Sequence, residues 1–181
     1  SYIPTAGAQV TRAAETLTVP AANLPYNSTN MSIQMDGTMT YADDDNSALP
    51  NNQGTSGEAI VYLWKSANDN HINTTLITRA SRTGGFAFQQ RTPISNKQVY
   101  TTDNAYSAGT NVPFNLSARY GSTFLNGAHE GTLLTANTTP TALPDLSATD
   151  LNLGFDFMGT IGQFRMWDED ITDAGITEAS T

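Results

Sequence analysis

Between Met31 and Tyr41 the chain alternates strictly in character: Met31, Ile33, Met35, Met39 and Tyr41 are apolar, while Ser32, Gln34, Asp36, Thr38 and Thr40 are polar. Successive side chains of a β-strand point to opposite faces, so a period of two predicts a strand with one face toward a core and the other toward solvent. Val112, Phe114, Leu116, Ala118 and Tyr120 alternate in the same way with Pro113, Asn115, Ser117 and Arg119. Pro113 falls near the strand start, where its missing N–H is tolerated. From Glu58 to Lys65 the run is almost continuously apolar, with Ile60, Tyr62 and Trp64 on one face and Val61 and Leu63 on the other. That is the pattern of an interior strand covered on both sides.

Turn chemistry divides these segments. Thr74 to Arg79 and Phe86 to Arg91 flank Ser81-Arg82-Thr83-Gly84-Gly85, and paired glycines supply the positive φ of a hairpin turn, which is expected there. Asn126-Gly127 predicts a second hairpin, because both residues accept left-handed backbone angles. Leu151 to Gly154 and Thr160 to Trp167 read as closing strands. Asp43 to Ser56 and Thr132 to Ser147 read as long loops. The helical candidate is Thr172 to Ala179, capped by Thr172 or Asp173 and weakened by Gly175. Short strands about ten residues apart, separated by Gly, Asn, Pro and Asp, predict two packed antiparallel sheets rather than βαβ units.

Composition agrees and excludes partners. Only 14% of the 181 residues are charged, and Lys65 and Lys97 are the lysines, so the residues that usually clothe helices are scarce. The net charge of −9 repels phosphate backbones and anionic bilayers, which argues against nucleic acid and membrane partners. No run approaches the roughly 18 apolar residues of a membrane span. With no cysteine, disulfides and thiolate metal sites are excluded. The length suits one domain.

Ser1-Tyr2-Ile3-Pro4-Thr5 followed by Val10-Thr11-Arg12-Ala13-Ala14-Glu15 resembles a junction found in phage tail and other phage structural proteins, upstream of concanavalin A-like lectin/glucanase (LamG-like) domains. The usual junction ends in Arg-Ala-Ala-Asp, and Glu15 keeps the charge. Phe124-Leu125-Asn126-Gly127 resembles a strand and turn of that family, Gly159 to Trp167 its closing strand, and Asp168 to Ala179 its terminal helix. The resemblance implies a jelly-roll β-sandwich over residues 12–181, with residues 1–11 a linker from a preceding domain. It also implies a place on a phage virion surface or outside the cell, attached to a larger virion protein or homo-oligomeric. Its functional implication is non-catalytic recognition of a polysaccharide or cell-surface glycan.

The residues offer matching chemistry. A sugar site joins an aromatic plate to amide, carboxylate and guanidinium groups. Tyr62, Trp64, Arg79, Gln90 and Arg91 lie on strands able to neighbour one another, with His71 and Asn73 in a nearby loop, and Trp64 is the first expected contact. The alternative for Trp64 is core packing, and Trp167, beside Arg165, faces the same choice. No cofactor is required, although Asp43, Asp44 and Asp45 carry the oxygens that calcium takes, unless they are simply an acidic loop. Catalytic residues are not expected. No Gly-x-Ser-x-Gly elbow occurs, and Asp168-Glu169-Asp170 lacks a second Glu in register for a laminarinase-type glycosidase. The rival readings are a capsid-decoration or fibre protein of the same fold, and that glycosidase.

Overall fold

The alternating segments become central strands of two antiparallel sheets. The computed structural model describes residues 17–42, 60–79, 82–140, 142–154 and 158–181. In chain order they form β1 (Leu17–Val19), a 3-10 turn (Ala21–Asn23), β2 (Asn30–Ala42), β3 (Ile60–Ala67), β4 (Asn70–Arg79), β5 (Arg82–Thr92) and β6 (Ser95–Tyr100). There follow β7 (Gly109–Gly121), β8 (Leu125–His129), β9 (Thr132–Leu133), β10 (Leu151–Leu153), β11 (Gly159–Trp167) and α1 (Thr172–Ala179). One sheet has the order β1-β10-β3-β4-β5-β6 and the other β11-β2-β7-β8-β9. The expected all-β sandwich with a short C-terminal helix is what the chain forms.

The apolar phases meet between the sheets. Met31, Ile33, Met35 and Met39 of β2 and Phe114, Leu116, Ala118 and Tyr120 of β7 are buried against Val61, Tyr62, Trp64, Ile72, Phe86 and Phe88. Two polar groups share this interior. The Tyr62 hydroxyl lies 2.7 Å from that of Tyr120, which donates to the Asn73 carbonyl at 3.2 Å, leaving Tyr62 to donate to Tyr120. Burial pushes the Tyr62 phenol up to about 12 and Tyr120 well above its ordinary value, so both stay neutral and hydrogen-bonded.

The hairpin expected around Gly84-Gly85 forms between β4 and β5, with Gly84 at a positive φ of 62°, whereas the turn expected at Asn126-Gly127 falls elsewhere. Gly84 and Gly85 lie inside β5, and Arg79 pairs with Arg82 across the β4–β5 connection. Asn126-Gly127 lies inside β8, opposite Arg119 and Ala118. The tight turn joining β8 to β9 is Glu130-Gly131, whose φ values of 47° and 71° are the left-handed pair that a two-residue hairpin requires. Gly127 is needed for a different reason: a Cβ there would penetrate the Phe88 ring of the opposite sheet. Gly127→Ala is therefore expected to cost about 1–3 kcal/mol by overpacking, read as a lower midpoint in urea. An unchanged midpoint would show that Phe88 can yield.

The polar face of β2 is not turned wholly to solvent. Ser32 and Gln34 are buried, because α1 and the segment before it lie on the outer face of the five-stranded sheet, mainly over β7 and β8. Ile176 is fully buried there. Neither Thr172 nor Asp173 caps the helix. Ile171 stands at the N-cap without a side-chain bond, and the Asp170 side chain just before it accepts the Thr172 N–H at 2.9 Å.

Candidate functional site

Register separates the residues expected to form one sugar site. Tyr62, Trp64 and Gln90 lie in rows that face the other sheet. Trp64 has 0% exposure; its Nε1 donates to the Thr149 carbonyl at 2.8 Å and its ring meets Tyr26 edge-on, with centroids 5.7 Å apart. Gln90 donates from Nε2 to the Gly121 carbonyl at 3.1 Å. Tyr62, Trp64 and Gln90 therefore have no face to offer a ligand, which corrects the expectation that Trp64 is the aromatic plate. The same strand parity that gathers them puts them between the sheets.

His71, Asn73 and Arg91 come together on the opposite, outer face of the six-stranded sheet. They are on strands rather than in a loop, with His71 opposite Arg91 and Asn73 opposite Gln89. His71 and Arg91 are engaged by the protein, whereas the buried Asn73 Oδ1 has no protein partner. His71 lies 2.9 Å from the Asn68 carbonyl and 3.2 Å from Gln89 Oε1, and Arg91 pairs with Asp69. Arg79 lies at the end of β4; its side chain, like Asp43, Asp44 and Asp45 of the calcium expectation, lies outside what is described. Among the described residues, no group of three or more His, Cys, Asp or Glu side chains is placed to hold a metal.

An open groove of about 500 Å³ lies on the other sheet. Its construction follows from what α1 covers. The helix rests mainly over β7 and β8 and touches only part of β2, so the outer face of β11 is left as a step at its side. Strand register puts Trp167, Arg165 and Gln163 of β11 opposite Ser32, Gln34 and Asp36 of β2, and Asp36 opposite Asn115 of β7. Gly175, Glu178 and Ala179 of α1 line the facing wall.

A chain of hydrogen bonds fixes the floor. Gln34 Nε2 donates to Asn115 Oδ1 at 2.8 Å and to Asp36 Oδ2 at 3.3 Å. Asp36 Oδ1 accepts the Gln163 N–H at 3.0 Å, where β11 bulges, and Asn115 Nδ2 donates to the Thr181 carbonyl at 3.1 Å. Gln34 is 1% exposed, yet its Oε1 has no protein partner. Trp167 is half-buried and Arg165 exposed at the rim. An indole, a guanidinium, two carboxylates and planar amides thus converge on one concave surface, the combination that grips a hydroxylated ring.

The acidic run before α1 builds the wall. Asp168 and Glu169 offer backbone carbonyls to Asn27 Nδ2 at 2.8 Å and to the Ser32 hydroxyl at 2.9 Å. Asp170 and Asp173 grip Arg119 at 2.6 and 2.7 Å, and Asn126 Nδ2 adds a bond to Asp173 at 3.0 Å. Burial alone would push the Asp173 carboxyl up; the bonds from Asn126 and Arg119 outweigh it and hold the group below its ordinary value. The Ser117 hydroxyl donates to the Ile176 carbonyl in the helix. Asp170, one of the acidic residues weighed for the laminarinase-type glycosidase, is thereby spent on anchoring.

Two largely buried histidines are expected to make the fold acid-sensitive. Burial lowers His71, against the hydrogen bonds with Gln89 and Asn68 and with help from the charges of Arg91 and Lys65; burial also lowers His129, against the attraction of Glu130. Below the ordinary value of 6.5 the unfolded chain therefore binds protons that the folded chain refuses. Their stabilising contribution is complete above that pH and is lost as pH falls through it toward the folded values. Urea midpoints are expected to drop between pH 7.5 and 5.5, and to drop less in a His71→Gln/His129→Gln variant. Equal slopes in the two proteins would remove the histidines as the cause.

Comparison with protein-family models and with curated protein sequences found no match. Similar solved structures cover nearly the whole chain. The Ruminococcus gnavus IT-sialidase CBM40 bound to α2,3-sialyllactose superposes with a TM-score of 0.61 at 10% identity, over 93% of this chain and 97% of that one. The fold is a jelly-roll β-sandwich. Domain 4 of AbnA, an extracellular GH43 arabinanase of Geobacillus stearothermophilus in complex with arabinotriose, shares this jelly roll with a TM-score of 0.59 at 10% identity, over 92% of this chain and 72% of the other. The leech intramolecular trans-sialidase matches with a TM-score of 0.61 at 16% identity over 85% of this chain, which spans only 23% of that enzyme's chain.

Proposed function

We propose that this jelly roll is a carbohydrate-binding module, and that the groove between β11, β2 and α1 holds the glycan. The observation that carries the reading is the phase of Trp167. Its indole lies on the polar face of β11 beside Arg165 and Gln163, over a floor of amides and a carboxylate, instead of in the core where the other tryptophan is spent. The neighbouring folds support it, since the Ruminococcus module is bound to sialyllactose and the Geobacillus domain to arabinotriose. The reading is non-catalytic: Asp36 is bonded to Gln34 and the Gln163 N–H, and Asp170 is held in the helix anchor by Arg119.

The test is a glycan array followed by calorimetry on the glycans retained, with reducing-sugar release assayed in parallel. Binding without release is expected. Release would make the protein a glycosidase, and a folded protein that retains no glycan would be the structural component of the rival reading. The finer placement, as a phage virion or tail component facing host glycans, rests on the junction resemblance at Ser1 to Glu15. Mass spectrometry of purified particles is expected to find the chain there, and particles lacking it would overturn the placement.

A further inference from the structure

The groove is unbalanced in hydrogen-bonding character, and the imbalance bears on what it takes. Both donor positions on Gln34 Nε2 are used, toward Asn115 Oδ1 and Asp36 Oδ2, and Asn115 Nδ2 is used on the Thr181 carbonyl. Turning the Gln34 amide over would set its oxygen against a carboxylate and a carbonyl, so the network itself fixes the orientation. What the floor has left for a ligand is acceptor capacity on the Asp36 carboxylate, because Gln34, though its Oε1 has no protein partner, is buried beneath the surface. Glu178, on the helix wall, adds a second carboxylate.

The charges point the same way. Asp36 and Glu178 line the groove against one cation, Arg165. The nearby guanidinium of Arg119 is already neutralised by Asp170 and Asp173, and the chain as a whole carries −9. A ligand carboxylate drawn to Arg165 would still lie in the field of two fixed carboxylates, above a floor that wants donors.

Resting on the glycan-binding reading, we infer that the groove selects uncharged, hydroxyl-rich sugars and discriminates against acidic ones. Ligand hydroxyls donate to the Asp36 and Glu178 carboxylates that line the groove, charge-assisted bonds that a sugar carboxylate cannot supply. The rim of Arg165, Gln163 and Trp167 provides the donors and the stacking surface. The jelly roll itself does not impose this preference, because the Ruminococcus module with the same fold is bound to sialyllactose.

The test compares matched pairs differing by one acid, lactose with sialyllactose foremost, on an array and then by calorimetry at low and high salt. Each acidic member is expected to bind roughly two- to tenfold more weakly than its neutral partner, the scale of partly screened charge repulsion. Added salt and Glu178→Gln should both narrow the gap. Glu178 is exposed on α1, so circular dichroism is expected to show the variant folded. Equal or tighter binding of the acidic members, abolished by Arg165→Gln, would overturn the inference while leaving glycan binding intact. A folded protein that binds no member of any pair would remove both readings.

Discussion

Replacing Trp64 by alanine is expected to destabilise the protein by about 3–5 kcal/mol, the range for emptying a large aromatic site in a packed core. Trp64 is wholly buried, paired across its strand neighbours with Leu151 and Ile72, and meets Tyr26 edge-on. Its Nε1 also satisfies the carbonyl of Thr149, in the segment leading to β10. The variant loses the contacts and leaves that carbonyl without its donor. Trp64→Phe separates these effects: it retains most of the volume and forfeits the bond, so a loss of about 1–2 kcal/mol is expected. Urea unfolding followed by circular dichroism gives both values. In the alanine variant, glycan affinity per folded molecule should be unchanged. A selective loss of affinity with no loss of stability would return Trp64 to the role that the sequence first suggested.

The two tryptophans show where reading the sequence succeeds and where it stops. Alternation gives the parity of a strand, and every inward-facing assignment on β7 from Phe114 to Tyr120 follows from it. Parity alone does not say which face of a doubly covered strand is the interior. Along β3, Val61 and Leu63 are buried as thoroughly as Tyr62 and Trp64, so the sequence offers no contrast by which to place Trp64. On β11 the contrast was present. Phe164 and Met166 pack toward the core while Gln163 and Arg165 do not, so Trp167 falls out of phase with the apolar set and in phase with the polar one. That displacement was a legible sign of an aromatic side chain kept out of the core.

The Asn126-Gly127 pair misled for a related reason, while Gly84 does mark the β4–β5 hairpin. Asn-Gly and Gly-Gly are turn signals because glycine tolerates positive φ, but glycine is also required wherever another residue fills the space of its missing side chain. Gly127 lies under Phe88, a contact between sheets and between segments far apart in sequence, which no local pattern encodes. The helix position was legible from residues 172–179, yet its docking was not. Arg119 and Asp173 approach each other only after β7 and α1 are assembled, and the groove exists only because α1 packs mainly over β7 and β8 and leaves a step beside β11. The site is thus a product of tertiary placement, built from residues whose types were visible and whose proximity was not.

Trp167→Ala should therefore behave in the opposite way to Trp64→Ala. Its indole is half-buried at the edge of the five-stranded sheet, with β2 on one side and the groove on the other, so truncation opens no enclosed cavity. A stability loss of about 1 kcal/mol or less is expected, near the ordinary range for partly exposed positions. Glycan affinity should fall at least about tenfold to thirtyfold, the roughly 1.4–2 kcal/mol lost when a central aromatic contact is removed from a binding site. Trp167→Phe should recover part of it, since a smaller ring still presents a stacking face to a sugar, whereas Trp167→Leu, apolar but without that face, should not. Calorimetric titration of the three variants distinguishes stacking from mere apolar contact. Full affinity in Trp167→Ala would move the binding surface off the β11 step, leaving the outer face of the six-stranded sheet, with His71, Asn73 and Arg91 in register, as the surface to mutate next.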